Sequence, residues 1–200
     1  MTTPDSAPLS PDALGVAVRE VAEFVDASGW GQPPLLFALV PTSLVAEAEP
    51  DLADTLDQSE LTLIEQEPLP VAEDGGMAEI EFVLGTTSWP SAVAGCVLVQ
   101  EIIVLPPDAE SDLDEAFGPL LADPDAADEA ARQTAREHPE ATDGRLIAAA
   151  LRDGQTLCLL QLKPPLGEED APLELLSHPE LAPNLVAALA ATLENDPDDW

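Results

Sequence analysis

RLIAAALRDGQTLCLLQLK, residues 145–163, is the stretch whose reading decides the fold. Asp153-Gly154 separates two apolar runs, and that dipeptide favours the two-residue type I′ turn of a β-hairpin. The spacing predicts strands over 145–152 and 155–163, with Gly154 at positive φ. A two-residue turn pairs Arg152 with Gln155, Ala150 with Leu157 and Ala148 with Leu159. Ile147, Ala149, Leu151, Cys158, Leu160 and Leu162 then share the core face. Leu146, Ala148, Ala150, Arg152, Leu157, Leu159, Gln161 and Lys163 share the other, which is amphipathic. Glu65, Glu67, Gln100 and Glu101 also interrupt apolar runs, so one sheet face is expected to stand partly open to solvent.

Working outward, residues 35–40, 61–67 and 95–105 read as three more strands, each closed by proline. Three helices are expected beside them. The first follows Ser10-Pro11 and carries Leu14, Val18, Val21 and Val25 at helical spacing. The second spans 74–84, with Ile80, Val83 and Leu84 inward. The third opens at Pro183, with Leu185, Val186, Leu189 and Leu193 on its buried side. Residues 125–137 have helix propensity without large apolar side chains. The pattern predicts one α+β domain over 10–195, with a five-stranded antiparallel or mixed sheet and the N- and C-terminal helices packed on one face. Residues 1–9 read as a disordered leader and 196–200 as a frayed acidic tail.

Composition narrows the partners. Forty Asp and Glu face six Lys and Arg among 200 residues, a net charge of −34. Phosphate binding requires clustered bases, so nucleic acid and anionic membrane surfaces are excluded as main partners. No apolar run reaches the length of a membrane span. Two cysteines far apart, Cys96 and Cys158, read as buried thiols in a cytoplasmic protein. Most carboxylates repel one another, and the screening length falls from about 30 Å at 0.01 M salt to about 8 Å at 0.15 M. Melting temperature should therefore rise across that NaCl range in a thermal scan. A flat or falling curve would refute the repulsion argument.

Gly29-Trp30-Gly31-Gln32-Pro33-Pro34, Glu65-Gln66-Glu67-Pro68, Trp89-Pro90, Gly95-Cys96, His138-Pro139, Asp143-Gly144-Arg145 and Leu151-Arg152-Asp153-Gly154 occur together in this chain. As a set they resemble an uncharacterised family of actinobacterial proteins of about 200 residues. The resemblance implies a cytoplasmic bacterial protein and brings no chemistry with it.

The residues themselves supply few candidate sites. His138-Pro139-Glu140 and His178-Pro179-Glu180 repeat a tripeptide, read as turn and helix-entry residues. Asp123, Asp125, Asp128 and Glu129 lack the spacing of a calcium loop. No cofactor and no metal is expected. Trp30 and Trp89 read as half-buried anchors beside turns. The bases are uneven: Arg132, Arg136, Arg145, Arg152 and Lys163 lie close in sequence, and only Arg19 lies elsewhere. Arginine suits short-range capture of an anionic group. Arg145, Arg152, Lys163, Gln161 and Glu101 are therefore the candidate ligand-binding residues. The competing reading pairs both arginines with internal carboxylates such as Glu65, Glu67 or Glu101. The leading function is a non-enzymatic binding or adaptor protein presenting a sheet face or groove to a protein partner or small anionic ligand. The alternative is an enzyme using carboxylates with Arg145 or Arg152 in a cleft.

Overall fold

A computed structural model describes residues 9–52, 56, 59–71, 76–105, 133–168, 171–178 and 181–195. The expected leader, the acidic tail, Arg132, the candidate calcium loop and most of the 125–137 helix lie outside the described residues; 133–137 is helical. The elements run α1 (Ala13–Ala27), β1 (Leu35–Pro41), α2 (Thr42–Ala48), a 3₁₀ turn (Pro50–Leu52), β2 (Leu61–Glu65) and α3 (Met77–Gly85). Then come β3 (Gly95–Val104), β4 (Thr142–Leu151), β5 (Thr156–Leu162), β6 (Leu176–Ser177) and a last helix, here α4 (Pro183–Glu194).

The strands form one sheet in the order β2-β1-β3-β4-β5-β6, every pair antiparallel. The fold is α+β as expected, but among the described residues the sheet has six strands rather than five. The sixth, Leu176–Ser177, has two residues, too few to carry a period.

The terminal helices do not share a face. Leu14, Val18, Val21 and Val25 of α1 pack on Val97, Val99, Ile147, Ala149 and Leu151. Leu185, Leu189 and Leu193 of α4, with Ile80 and Leu84 of α3, pack on Cys96, Leu98, Leu146, Ala148 and Ala150. Alternate residues of a strand point to opposite faces. The central strands are apolar at consecutive positions because both faces are covered. The expected open sheet face is therefore replaced by three layers, helix on sheet on helix.

The hairpin keeps its turn but not its register. Leu151 N donates to Gln155 O at 2.8 Å and Gly154 N donates to Leu151 O at 3.1 Å. The loop thus has three residues, 152–154, with Gly154 at φ +94°. That is the hairpin class with a left-handed residue before the second strand. Ala150 faces Thr156, Ala149 faces Leu157 and Ala148 faces Cys158, one position from the expected pairing. A one-residue slip exchanges the faces of the partner strand. Cys158 and Leu160 therefore join the α4 side, and Leu157 and Leu159 the α1 side. Gly154→Val forces a β-branched residue into left-handed backbone, at a cost of about 1–2 kcal/mol. Thermal melting should register the loss; an unchanged midpoint would contradict the turn geometry.

Candidate functional site

Arg145 lies on β4 opposite Glu101 of β3 and Gln161 of β5. It is fully buried, at 0% exposure. Its Nη1 donates to Gln161 Oε1 at 3.0 Å; its Nη2 donates to Gly29 O at 2.7 Å and to Glu101 Oε1 at 3.3 Å. The guanidinium lies 4.2 Å from the Trp30 ring centroid, close enough for a cation–π contact. Gly29 and Gly31, at φ +83° and +84°, let the chain turn sharply on both sides of Trp30. That turn aims Gly31 N and Gln32 N at Glu101, at 2.9 and 3.1 Å to Oε1. Successive backbone N–H groups of this kind form an anion-binding nest. Glu101 fills it, so the anion beside Arg145 is one of the chain's own carboxylates. Gln161 extends the network, with Nε2 donating to Asp26 Oδ1 at 2.6 Å. Lys163 stands at its rim, 5.6 Å from the Trp30 centroid, in an exposed 3.0 Å ion pair with Asp143.

Arg152 is on the other side of the sheet. Its Nε donates to Val93 O at 2.7 Å and its Nη2 to Trp89 O at 3.0 Å and Pro90 O at 3.3 Å. Its Nη1 donates to Leu193 O in the last turn of α4. Helix C-termini leave carbonyls unsatisfied and favour a cation. Trp89 Nε1 donates to Thr192 Oγ1 at 2.9 Å, and Asn195 Nδ2 to Thr87 O at 2.8 Å. Together these bonds fasten the end of α4 to the turn before β3.

Among the described residues, the surface clefts include two, beside α1 and beside α4. One, about 350 Å³, lies between α1 and the start of β2. The chain already bridges it, since Ser10 N donates to Glu60 Oε2 at 2.8 Å. Hydrogen bonds from Ser10 hold the Glu60 carboxyl below its usual range. The other, about 500 Å³, lies between β5 and α4. Thr156, Leu157 and Cys158 form one wall, Ser177 and His178 another, and Leu181, Val186, Ala187 and Ala190 the third. Among the described residues its lining is mainly apolar, with Thr156, Ser177 and His178 as polar members, and carries no carboxylate, lysine or arginine.

Cys158 in that wall and Cys96 beneath α4 are free buried thiols. Burial pushes both up to about 11, against a weaker opposing pull on Cys96 from the Thr192 hydroxyl. Neither is a thiolate nucleophile at neutral pH. In the unfolded chain a thiol ionises near about pH 8.5. The unfolded state therefore loses its protons first as pH rises, and stability falls through the interval up to about 11. With no tyrosine and one lysine in the chain, little else titrates there. A pH series of melting curves should decline from about pH 8.5 upward, and less steeply for Cys96→Ala/Cys158→Ala. Equal slopes would contradict this assignment.

A family model described as PPA1309-like protein matches residues 14–194, from the first turn of α1 to the end of α4. The chain belongs to the PPA1309-like family. The PPA1309-like chain is also 35% identical over 79 residues to a copalyl diphosphate synthase of Streptomyces cyslabdanicus. That stretch is 40% of this chain and 14% of the synthase, so the chain spans a small part of the relative's length. No solved structure matches.

In this PPA1309-like chain, four of the five candidate residues meet: Arg145, Gln161, Lys163 and Glu101, around Trp30. Arg152 does not join them. Its even position, just past the end of β4, turns it to the α4 face. Neither arginine lines either cleft. His138 Nδ1 accepts from Glu140 N at 3.2 Å, in keeping with its reading as a turn residue. His178 forms part of the second cleft, which sequence reasoning missed. Its only signal was Ser177-His178 placed shortly before a helix-opening proline.

Proposed function

We propose that this PPA1309-like protein is a non-enzymatic binding or adaptor protein of the actinobacterial cytoplasm, and that its working surface is the cleft between β5 and α4. The observation that carries this is a mainly apolar recess of about 500 Å³, with no carboxylate, lysine or arginine among its described lining residues, in a chain with a net charge of −34. Apolar recesses are the usual seats of ligands and partner side chains. Both sheet faces are covered by helices, which favours the groove over a sheet face. The arginines on which an enzyme reading depends are engaged with carbonyls, Gln161 and Glu101. Free buried thiols agree with an intracellular setting.

Two-dimensional amide NMR with a library of small apolar fragments tests the reading. Shifts should gather at Thr156, Cys158, Val186 and Ala190. Shifts gathered around Trp30 and Arg145 would overturn it. Substrate turnover lost in Arg152→Lys would support the enzyme alternative, provided that variant stays folded.

A further inference from the structure

Going beyond that reading, we infer that the cleft between α1 and β2 takes a Lys or Arg side chain from an extended segment of a partner protein, laid along the outer edge of β2. The ladder gives the first argument. β2 stands at the end of the sheet, and among the described residues it pairs with β1 alone. Thr42 N donates to Glu60 O at 2.9 Å, and Gln66 N donates to Leu36 O at 2.8 Å. Even-numbered positions of β2 therefore bond β1, and odd-numbered positions turn N–H and C=O outward. Among the described residues, nothing hydrogen-bonds the outward groups of Leu63 and Glu65. Glu65 is exposed and Leu63 half-buried. A free edge of this kind is a template for a further strand.

The cleft supplies the second argument. Ala13, Val16, Ala17 and Leu61 give it apolar walls, and Glu60 gives it a carboxylate. Val16 is 46% exposed there. The hydrogen bond from Ser10 N holds the Glu60 carboxylate without cancelling its charge. Glu20, one turn beyond Val16 on α1, accepts from Ser59 Oγ at 2.5 Å. Neither carboxylate meets a base among the described residues, and Arg19 on the same helix is paired with Glu23 at 3.2 Å. Apolar walls beside an uncompensated carboxylate fit a side chain with an apolar stem and a cationic head, which is Lys or Arg. Leu61 and Leu63 lie on the α1 side of the sheet. A strand added beside them carries alternate side chains past the cleft.

Charge decides among occupants. Glu65 and Glu67 stand exposed along the same edge. A second copy of this chain would set its own Glu60, Glu65 and Glu67 against them, with a net charge of −34 on each side. Like charges facing one another across a strand pair are destabilising. A segment carrying Lys or Arg at alternate positions reverses that sign, hastens encounter and sets register.

The test uses the full chain and synthetic nine-residue peptides at about 0.15 M NaCl, where exposed charges more than about 8 Å apart are largely screened. The first peptide alternates Val and Arg. The second carries uncharged citrulline in place of Arg. The third is the first peptide N-methylated throughout, which removes strand pairing. Titration calorimetry and amide exchange are read for the parent and three variants. Glu60→Gln removes the cleft's charge, and Val16→Trp fills the cleft from an exposed helix position. Glu140→Gln removes an exposed charge ahead of β4. The first peptide should bind the parent at least about tenfold more tightly than the second or third. It should slow exchange at Leu63 and Glu65. Its affinity should fall about fivefold or more in Glu60→Gln and Val16→Trp and stay within about twofold in Glu140→Gln. Equal weakening by Glu60→Gln and Glu140→Gln would overturn the inference, since overall charge would then explain binding. Equal binding of the methylated peptide would overturn strand addition and the inference with it, and so would no detectable binding. Protection gathered at 156–162 would also overturn it, and would assign the peptide to the β5–α4 cleft instead. Should Val16→Trp melt early, Glu60→Gln and the exchange pattern of the parent decide.

Discussion

Replacing Arg145 with alanine should lower the melting temperature by about 6–20 °C. The substitution removes a buried cation and strands its partners. Glu101 keeps its two backbone donors, Gly31 and Gln32, but loses its counter-charge. Gly29 O and Gln161 Oε1 lose a donor, and Trp30 loses the plane on which it stacks. Breaking one side of a buried pair costs about 3–5 kcal/mol, and each kcal/mol shifts the midpoint by about 2–4 °C at this chain length. Arg145→Lys should recover less than half of the loss, because an ammonium cannot reach three acceptors on different elements while lying flat on an indole. Glu101→Ala provides the complementary test. It empties the nest while leaving Arg145 in place, so added acetate or formate should raise the midpoint of this variant and not that of Arg145→Ala. An Arg145→Ala midpoint within about 2 °C of the parent would show that the network carries no net stability.

The hairpin was legible because Asp153-Gly154 has a backbone preference of its own, and Gly154 does adopt positive φ. Its register was not, because Asp-Gly suits both two- and three-residue loops. The choice between them is made outside the hairpin, where Arg152 N donates to Ala94 O at 2.8 Å. The α1 stripe was legible at every position: Leu14, Val18, Val21 and Val25 are all buried. Which face each terminal helix covers was not, since Val97, Leu98 and Val99 are apolar in succession and fit either side. The Arg145–Glu101 pair was anticipated as the competing reading of that arginine. The fate of Arg152 was not, because backbone carbonyls leave no mark on the sequence. The cleft is similarly silent: it arises where β6 stops after two residues and α4 begins beyond it, a matter of chain path rather than composition.

Arg152→Met should release α4 before the sheet unfolds. The side chain is of similar reach but donates nothing, leaving the carbonyls of Val93, Trp89, Pro90 and Leu193 without their common donor. Hydrogen bonds from a charged group contribute about 1.5–3 kcal/mol each, and the last turn of α4 also loses the cation that complements its dipole. Some of these carbonyls regain water at the surface, so a net loss of about 3–5 kcal/mol is expected rather than the full sum. The effect should be uneven along the chain. Trp89 and Thr192 remain bonded but lose the clamp beside them, so Leu185, Leu189 and Leu193 should exchange their amide protons sooner than Val97 or Ile147. Arg152→Lys should fall between, keeping the charge near the helix end and losing the spread of three nitrogens over four carbonyls. Amide exchange followed by mass spectrometry separates the outcomes. Selective loss of protection over 183–194 supports the clamp. Uniform loss across β3 and β4 would mean that α4 and the sheet open as one unit, and an unchanged pattern would mean that apolar packing alone holds the helix.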